Sequence, residues 1–271
     1  WDWPSSVREV TREQAADEDI DVVIMQRPEE LNGLAEQWLG GRRPGRDVAG
    51  IYLEHTAPEG QVNDMRHPAA ERPDLTLVHV THFNNLFWNA GATPTRVIEH
   101  GIVDPGYRYS GAMPRAVAVI NEAPRRGRVT GTDLLATLGR EVPIDLFGMD
   151  AARIGGTEDL PQDRLHDEIA KRRVYLHPAR WTSLGLSLIE AMQLGMPVVA
   201  LATTEVVEAV PPRAGVVSNR LPVLGAALRR LANDQDEALA MGRAARDAAL
   251  ARYGLRRFLD DWEDLLEEVA A

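Results

Sequence analysis

Cysteine is absent from the 271 residues, which excludes disulfides and thiol chemistry. Lysine is nearly absent as well. Of 30 basic side chains a single one, Lys171, is lysine, so any clamp on phosphate must be built almost wholly from arginine. Positive charge is in short supply overall. The net charge of −11 argues against a nucleic-acid binder, which would show a basic face. No apolar run approaches the roughly 18 residues of a membrane span. The seven histidines include no His-x-x-x-His pair or other metal-ligand spacing. Asp19 and Asp21 have the spacing of a metal-binding acid pair but precede their strand, so they read as a solvated acidic run and no metal is expected. No signal peptide is legible, and the chain begins at Trp1 rather than Met. Internal repeats and low-complexity tracts are missing too.

What remains is a chain 44% hydrophobic and 26% charged, enough for a large core in one or two domains. Short, nearly all-apolar runs recur at 21–25, 48–53, 75–80, 96–99, 116–120, 144–147, 174–176, 197–201 and 215–217. Such runs suit parallel strands buried on both faces. Helical patterns lie between many of them, at 29–38, 133–138, 161–172, 186–194 and 221–233. Alternation of this kind predicts α/β architecture with open, doubly wound sheets. The end reads as two helices, 236–252 and 255–269, broken at Tyr253-Gly254.

Residues 182–199 are the most informative stretch. A short polar turn (Thr182, Ser183, Leu184, Gly185) runs into an apolar helix carrying one acid, Glu190, followed by Gly195-Met196-Pro197 and a buried strand. Ser183, Leu184 and Gly185 at a helix N-terminus would present free backbone N–H groups to a phosphate. Glu190 could then accept hydrogen bonds from a ribose. An ordinary helix with a surface acid fits the same residues.

This segment resembles the donor-binding motif of retaining glycosyltransferases of family 4, which have the GT-B fold. The motif is Glu, seven residues, Glu, then Ala-Met and Gly-x-Pro-Val-Val. Glu190 stands as its second acid, followed by Ala191, Met192, Gly195, Pro197, Val198 and Val199, whereas Thr182 replaces the first acid. In the family the second Glu usually binds the nucleotide ribose and the first lies near the donor sugar. The resemblance implies two Rossmann-like domains with parallel sheets facing a cleft. The turn-rich stretch from His100 to Gly111 resembles the family's passage between domains, with His100 in place of an Asn. The expected division is 1–106 for an acceptor-side domain, 107–253 for the nucleotide-sugar-binding domain, and 254–271 for a helix crossing back. The family's opening strand and Gly-rich loop have no counterpart before Asp21, so the first domain is expected to lack its first βαβ portion.

Other candidate groups follow from the same resemblance. His55, just after the strand at 48–53, matches a histidine near the donor sugar that would orient it and stabilise charge; a solvated loop histidine is the plain alternative. His79 and His82 are weaker candidates, and His79 fits a strand position. Residues 121–133 resemble the loop that clamps the diphosphate. Thr130 falls where the family has Lys, leaving Arg125, Arg126 and Arg128 as cations without a choice among them. Gly148, ending a strand, matches a glycine near the nucleotide. The implied activity is transfer of a sugar from a nucleotide-diphospho-sugar, with retention, to a small-molecule, glycan or lipid-linked acceptor, without a metal or other cofactor. Nucleotide-sugar 2-epimerases of the same fold, and a degenerate sugar-nucleotide-binding protein, are the competing readings. The expected location is the cytoplasm or the inner membrane surface.

Overall fold

The computed structural model describes residues 4–270. The chain divides into two compact units, Trp1–Glu99 with Asp260–Ala271, and His100–Leu259.

The first unit is built on β1 (Val22–Met25), β2 (Ala49–Glu54), β3 (Thr76–His79) and β4 (Thr95–Val97), all parallel and side by side in chain order. Two short helices, α1 (Arg12–Asp17) and α3 (His82–Phe87), are started by Thr11 and Thr81, whose hydroxyls accept from the N–H of Gln14 and Asn84. At six residues each they are too short to show a period, so their caps, not an apolar stripe, define them. The helix expected over 29–38 is broken. Gly33 sits at φ +105°, so Glu30–Leu34 forms a wide turn and only α2 (Ala35–Trp38) is regular. Met25, Ala35, Tyr52, Leu75 and Leu77 form the core between sheet and helix.

The second unit carries β5 (Met113–Val119), β6 (Ile144–Phe147), β7 (Arg172–His177), β8 (Val198–Ala200) and β9 (Gly215–Val217) in the spatial order β6-β5-β7-β8-β9, all parallel. Its helices are α4 (Ala123–Thr130), α5 (Thr132–Leu138), α6 (Gln162–Ile169), α7 (Leu186–Leu194), the single turn α8 (Val206–Ala209), α9 (Leu221–Asn233) and α10 (Gln235–Tyr253). Both faces of the sheet are covered, which is why its strands are largely apolar. Along β7, Val174 and Leu176 point to one face and meet Leu134, Leu224, Leu228 and Leu231 of α5 and α9. Tyr175 points to the other and meets Leu188, Ile189 and Met192 of α7 with Ala245 and Ala249 of α10. Each buried Leu or Ile contributes about 1.5–3 kcal/mol. Gly254, extended at φ −67° and ψ 142°, separates α10 from α11 (Leu255–Ala270), at the break expected from Tyr253-Gly254.

Two expectations are corrected here. The stretch 121–133 is not a loop. It forms α4, kinked at Gly127, and then α5. The resemblance implies a loop there, but tertiary bonds hold the helix. Glu122 N–H donates to the Met149 carbonyl, and the Val129 carbonyl accepts from Arg180 N–H. The helix expected over 161–172 ends at Ile169, and Arg172 and Arg173 begin the central strand instead. Their guanidinium groups are satisfied there: Arg172 pairs with Asp145 and Glu168, and Arg173 donates to the carbonyls of Gly111 and Ala232. Among the described residues no helix is long and apolar enough to cross a membrane.

Candidate functional site

In a sheet ordered β6-β5-β7-β8-β9 the connections leave in opposite directions from β5. Ligands in such sheets bind beyond the carboxyl ends of the strands at that switch point, between β5 and β7. A cavity of about 420 Å³ opens there. Val119, Ile120 and Asn121 line it from the end of β5, and His177, Pro178 and Ala179 from the end of β7. Arg126 and Thr130 contribute from α4, Gln162 and Leu165 from α6, and Thr182, Gly185, Leu186, Ser187 and Glu190 from the turn and first half of α7.

The start of α7 borders the cavity. Gly185 is its N-cap and no side chain caps the helix. Leu188 N–H turns back to the Gly185 carbonyl at 3.0 Å, and Leu186 and Ser187, whose N–H groups have no carbonyl one turn back within the helix, line the cavity. Gly185 itself is required by crowding: a Cβ there would lie 2.8 Å from the His177 ring. Ser183 and Leu184, expected at the helix N-terminus, precede it, and both are buried. Leu184 packs into the core with Leu188 and Ile189.

Glu190 lies one turn into α7 with its side chain 14% exposed. Gln162 Nε2 donates to its Oε1 at 2.8 Å. His166 Nε2 lies 3.3 Å from Oε2, although its alignment is not that of a hydrogen bond. Thr182 Oγ1 and His177 Nε2 are buried and without a hydrogen-bond partner. Burial pushes the His177 imidazole down to about 4, so this ring is a neutral polar group at ordinary pH. Two orphaned polar atoms in one cavity wall are unusual for buried groups and fit partners that a ligand supplies.

The three candidate arginines separate clearly. Arg125 is paired with Glu122, Nε to Oε1 at 2.9 Å, and its pKa is raised by that hydrogen bond. Arg128 faces Asp133 at 3.6 Å with its side chain 78% exposed. Arg126 alone of the three lines the cavity, and no ion pair of its guanidinium is found among the described residues. Gly148 does not line it. At φ +133°, with a Cβ position 2.3 Å from the Ile120 carbonyl, it is a glycine because β5 and β6 close on it.

His55 follows β2 in the first unit and is exposed. His79 lies in β3, fully buried, with neither ring nitrogen bonded and its pKa pushed down to about 4 by burial. It packs edge-on against His67, which stacks the same way on Tyr52 and Trp88. His67 Nδ1 accepts from Ala69 N–H at 2.9 Å, so the ring proton is on Nε2, 3.0 Å from Glu54 Oε2. Burial raises the Glu54 pKa, but the hydrogen bonds from His67 and from Thr56 N–H outweigh it and hold the carboxylate below its usual range. This cluster is structural packing around β2 and β3. His82, exposed at the first position of α3, joins no cluster. Among the described residues no three His, Cys, Asp or Glu side chains gather to hold a metal ion.

Gln162, His166 and His177 are the residues that sequence reasoning missed. Gln162 and His166 are four apart and so share a helix face, and His177 ends a strand; those were the available signals.

Comparisons with known proteins bear on the fold and on part of the second unit. Residues 153–248 match the Glycosyl transferases group 1 family; the match takes in α6, β7 and α7 and leaves α4 outside. No curated protein matches the sequence. Among solved structures, TarM is similar at 13% identity with a TM-score of 0.70, over 90% of this chain and 54% of TarM. Sucrose-phosphate synthase from Thermosynechococcus elongatus is similar at 17% identity and 0.73, over 95% of this chain and 75% of the enzyme. HepE from Anabaena in complex with UDP and glucose is similar at 15% and 0.71, over 95% and 80%. The chain thus spans about half the length of TarM. At such identities the likeness speaks for the fold. The chain has the α/β fold of GT-B structures with two parallel sheets, and residues 153–248 within it are similar to the Glycosyl transferases group 1 family.

Proposed function

We propose that this protein transfers a sugar from a nucleotide-diphospho-sugar to an acceptor with retention of anomeric configuration, as the family 4 enzymes it resembles do. One observation carries the reading. At the switch point of the second sheet a single cavity joins a helix N-terminus without a side-chain cap, a carboxylate one turn further on and Arg126, for which no ion pair is found among the described residues. Glu190 accepts the ribose hydroxyls. The diphosphate lies on the N–H groups of Leu186 and Ser187 with Arg126 beside it. His177 and Thr182, the two orphaned polar groups, face the sugar. UDP-bound relatives such as HepE support a nucleoside diphosphate as the ligand class.

In the transfer step the acceptor hydroxyl attacks the anomeric carbon from the face the diphosphate leaves. The bond from that carbon to the phosphate oxygen breaks, its electron pair stays on the phosphate, and the phosphate takes the acceptor proton. No protein nucleophile and no metal enter the scheme. Arg126 and the helix N–H groups hold charge that grows on the leaving diphosphate, so they favour the transition state over the ground state.

Replacing each arginine by Ala tests the clamp. Arg126→Ala should weaken UDP binding about tenfold or more, the size of a charge-assisted contact, while uridine binds as before. Arg125→Ala and Arg128→Ala should change little, because Glu122 and Asp133 already occupy those side chains. Equal UDP affinity in all three variants, measured by titration calorimetry, would remove the clamp from α4. His55 belongs to the first unit and does not line this cavity. His55→Ala should therefore lower turnover at saturating donor and leave UDP affinity unchanged, and unaltered turnover would end its catalytic role. The orphaned Thr182 hydroxyl, where the family carries an acid, favours a second reading in which the cavity binds a sugar nucleotide without transferring it. Turnover of donor with a broad acceptor mixture separates the two, and turnover of donor alone to an isomer marks an epimerase.

A further inference from the structure

Glu190 does not meet its ligand as a free carboxylate. Its Oε1 already accepts from Gln162 Nε2 at 2.8 Å, and His166 Nε2 stands 3.3 Å from Oε2. Both partners come from one face of α6, four residues apart, and His166 is itself 7% exposed, so the imidazole is a fixed wall. Gln162 is different: it is exposed on the protein surface yet lines the cavity. Its amide is turned onto the carboxylate, so its own Oε1 remains as a second acceptor next to Glu190. A carboxylate oxygen and an amide oxygen held side by side match two adjacent hydroxyl donors, the geometry of a cis-diol.

We infer that Gln162 is a specificity-determining positioning residue: it fixes the Glu190 carboxylate so that the pair reads both hydroxyls of a ribose, and the cavity selects ribonucleotides over 2′-deoxyribonucleotides. The inference rests on the proposed placement of the nucleoside at Glu190. The selectivity follows from desolvation. With a deoxyribose, one acceptor of the pair is buried by the ligand without a donor, and an unmet acceptor costs more than a weak contact gains. His166 supports the arrangement from behind by limiting where Oε2 can go.

The test uses the unaltered chain, Gln162→Ala, Gln162→Glu and Glu190→Ala, each titrated by calorimetry with UDP, with 2′-deoxy-UDP and with inorganic pyrophosphate. Gln162 is at the surface, so neither replacement should disturb folding. The parent should prefer UDP over its deoxy form by about tenfold, the size of one hydrogen bond to a charged group. Gln162→Ala should bring that ratio close to one, with pyrophosphate affinity unchanged. Gln162→Glu places a like charge against Glu190 and should weaken UDP further, again without loss of pyrophosphate. A ratio preserved in both Gln162 variants but lost in Glu190→Ala would overturn the role of Gln162 and leave the nucleoside placement standing. A Glu190→Ala protein that binds UDP as tightly as the parent would overturn the placement and the inference together.

Discussion

A Glu190→Ala protein should bind a nucleoside diphosphate about 10- to 150-fold more weakly than the parent. That range corresponds to the ~1.5–3 kcal/mol of hydrogen bonds to a charged acceptor. The carboxylate is 14% exposed, is held by Gln162 and is the one acid lining the cavity among the described residues, so no described neighbour can replace it. The loss should be equal for UDP and UDP-glucose, because it arises at the ribose. Thr182→Ala gives the contrast. Its orphaned hydroxyl faces the same cavity, but it is neutral and single. Bare UDP should bind Thr182→Ala as it binds the parent, and only the sugar conjugate should lose affinity, by the ~0.5–1.5 kcal/mol of a neutral hydrogen bond. Calorimetric titration of both variants with both ligands checks the pair. A Thr182→Ala protein that loses bare UDP would displace the sugar from that wall.

The largest effect on stability should come from Gly131→Ala. Gly131 joins α4 to α5 at φ +75°, and a Cβ there would lie 1.9 Å from the Pro178 carbonyl oxygen. Neither atom can yield cheaply, since one is helix-junction backbone and the other is the chain leaving β7. The left-handed conformation and the overpacking together should cost about 2–5 kcal/mol. Gly106 is the control: it has φ +81° but no atom within 4 Å of its Cβ position. Gly106→Ala should cost only the conformational part, about 1–2 kcal/mol. Urea unfolding of both variants measures the difference. Equal losses would mean that the contact with Pro178 does not constrain the junction. The same contact ties α4, and with it Arg126, to the end of β7, so Gly131→Ala should also weaken diphosphate binding.

The extent to which the sequence reveals this site follows from the range of the interactions involved. Leu186–Leu194 is legible to the residue and the strand after it to within one residue at each end, because an apolar helix, a Gly-x-Pro break and a buried strand are local patterns. The place of Glu190 on that helix is legible for the same reason. Gln162 and His166 were not, because they meet Glu190 across 28 and 24 residues of sequence, and only the docking of α6 on α7 brings them there. The arginines show a second limit. Three guanidiniums within four residues look alike in sequence; they differ only in whether Glu122 or Asp133 has already taken them. Arg172 and Arg173 show a third. The helical pattern takes in Arg172, yet acceptors on Asp145, Gly111 and Ala232 allow Arg172 and Arg173 to open the central strand. The short helices α1 and α3 escaped because a threonine cap carries no periodic signal.

The central claim is that the cavity between the ends of β5 and β7 seats a nucleoside diphosphate, ribose on Glu190 and diphosphate on the start of α7. A crystal structure of the unaltered protein grown with saturating UDP tests it most directly. The account predicts ribose hydroxyls within hydrogen-bond distance of the Glu190 carboxylate, and phosphate oxygens on the N–H groups of Leu186 and Ser187 with the Arg126 guanidinium beside them. A nucleotide bound at any other place, or a cavity that stays empty at saturating UDP, would contradict it.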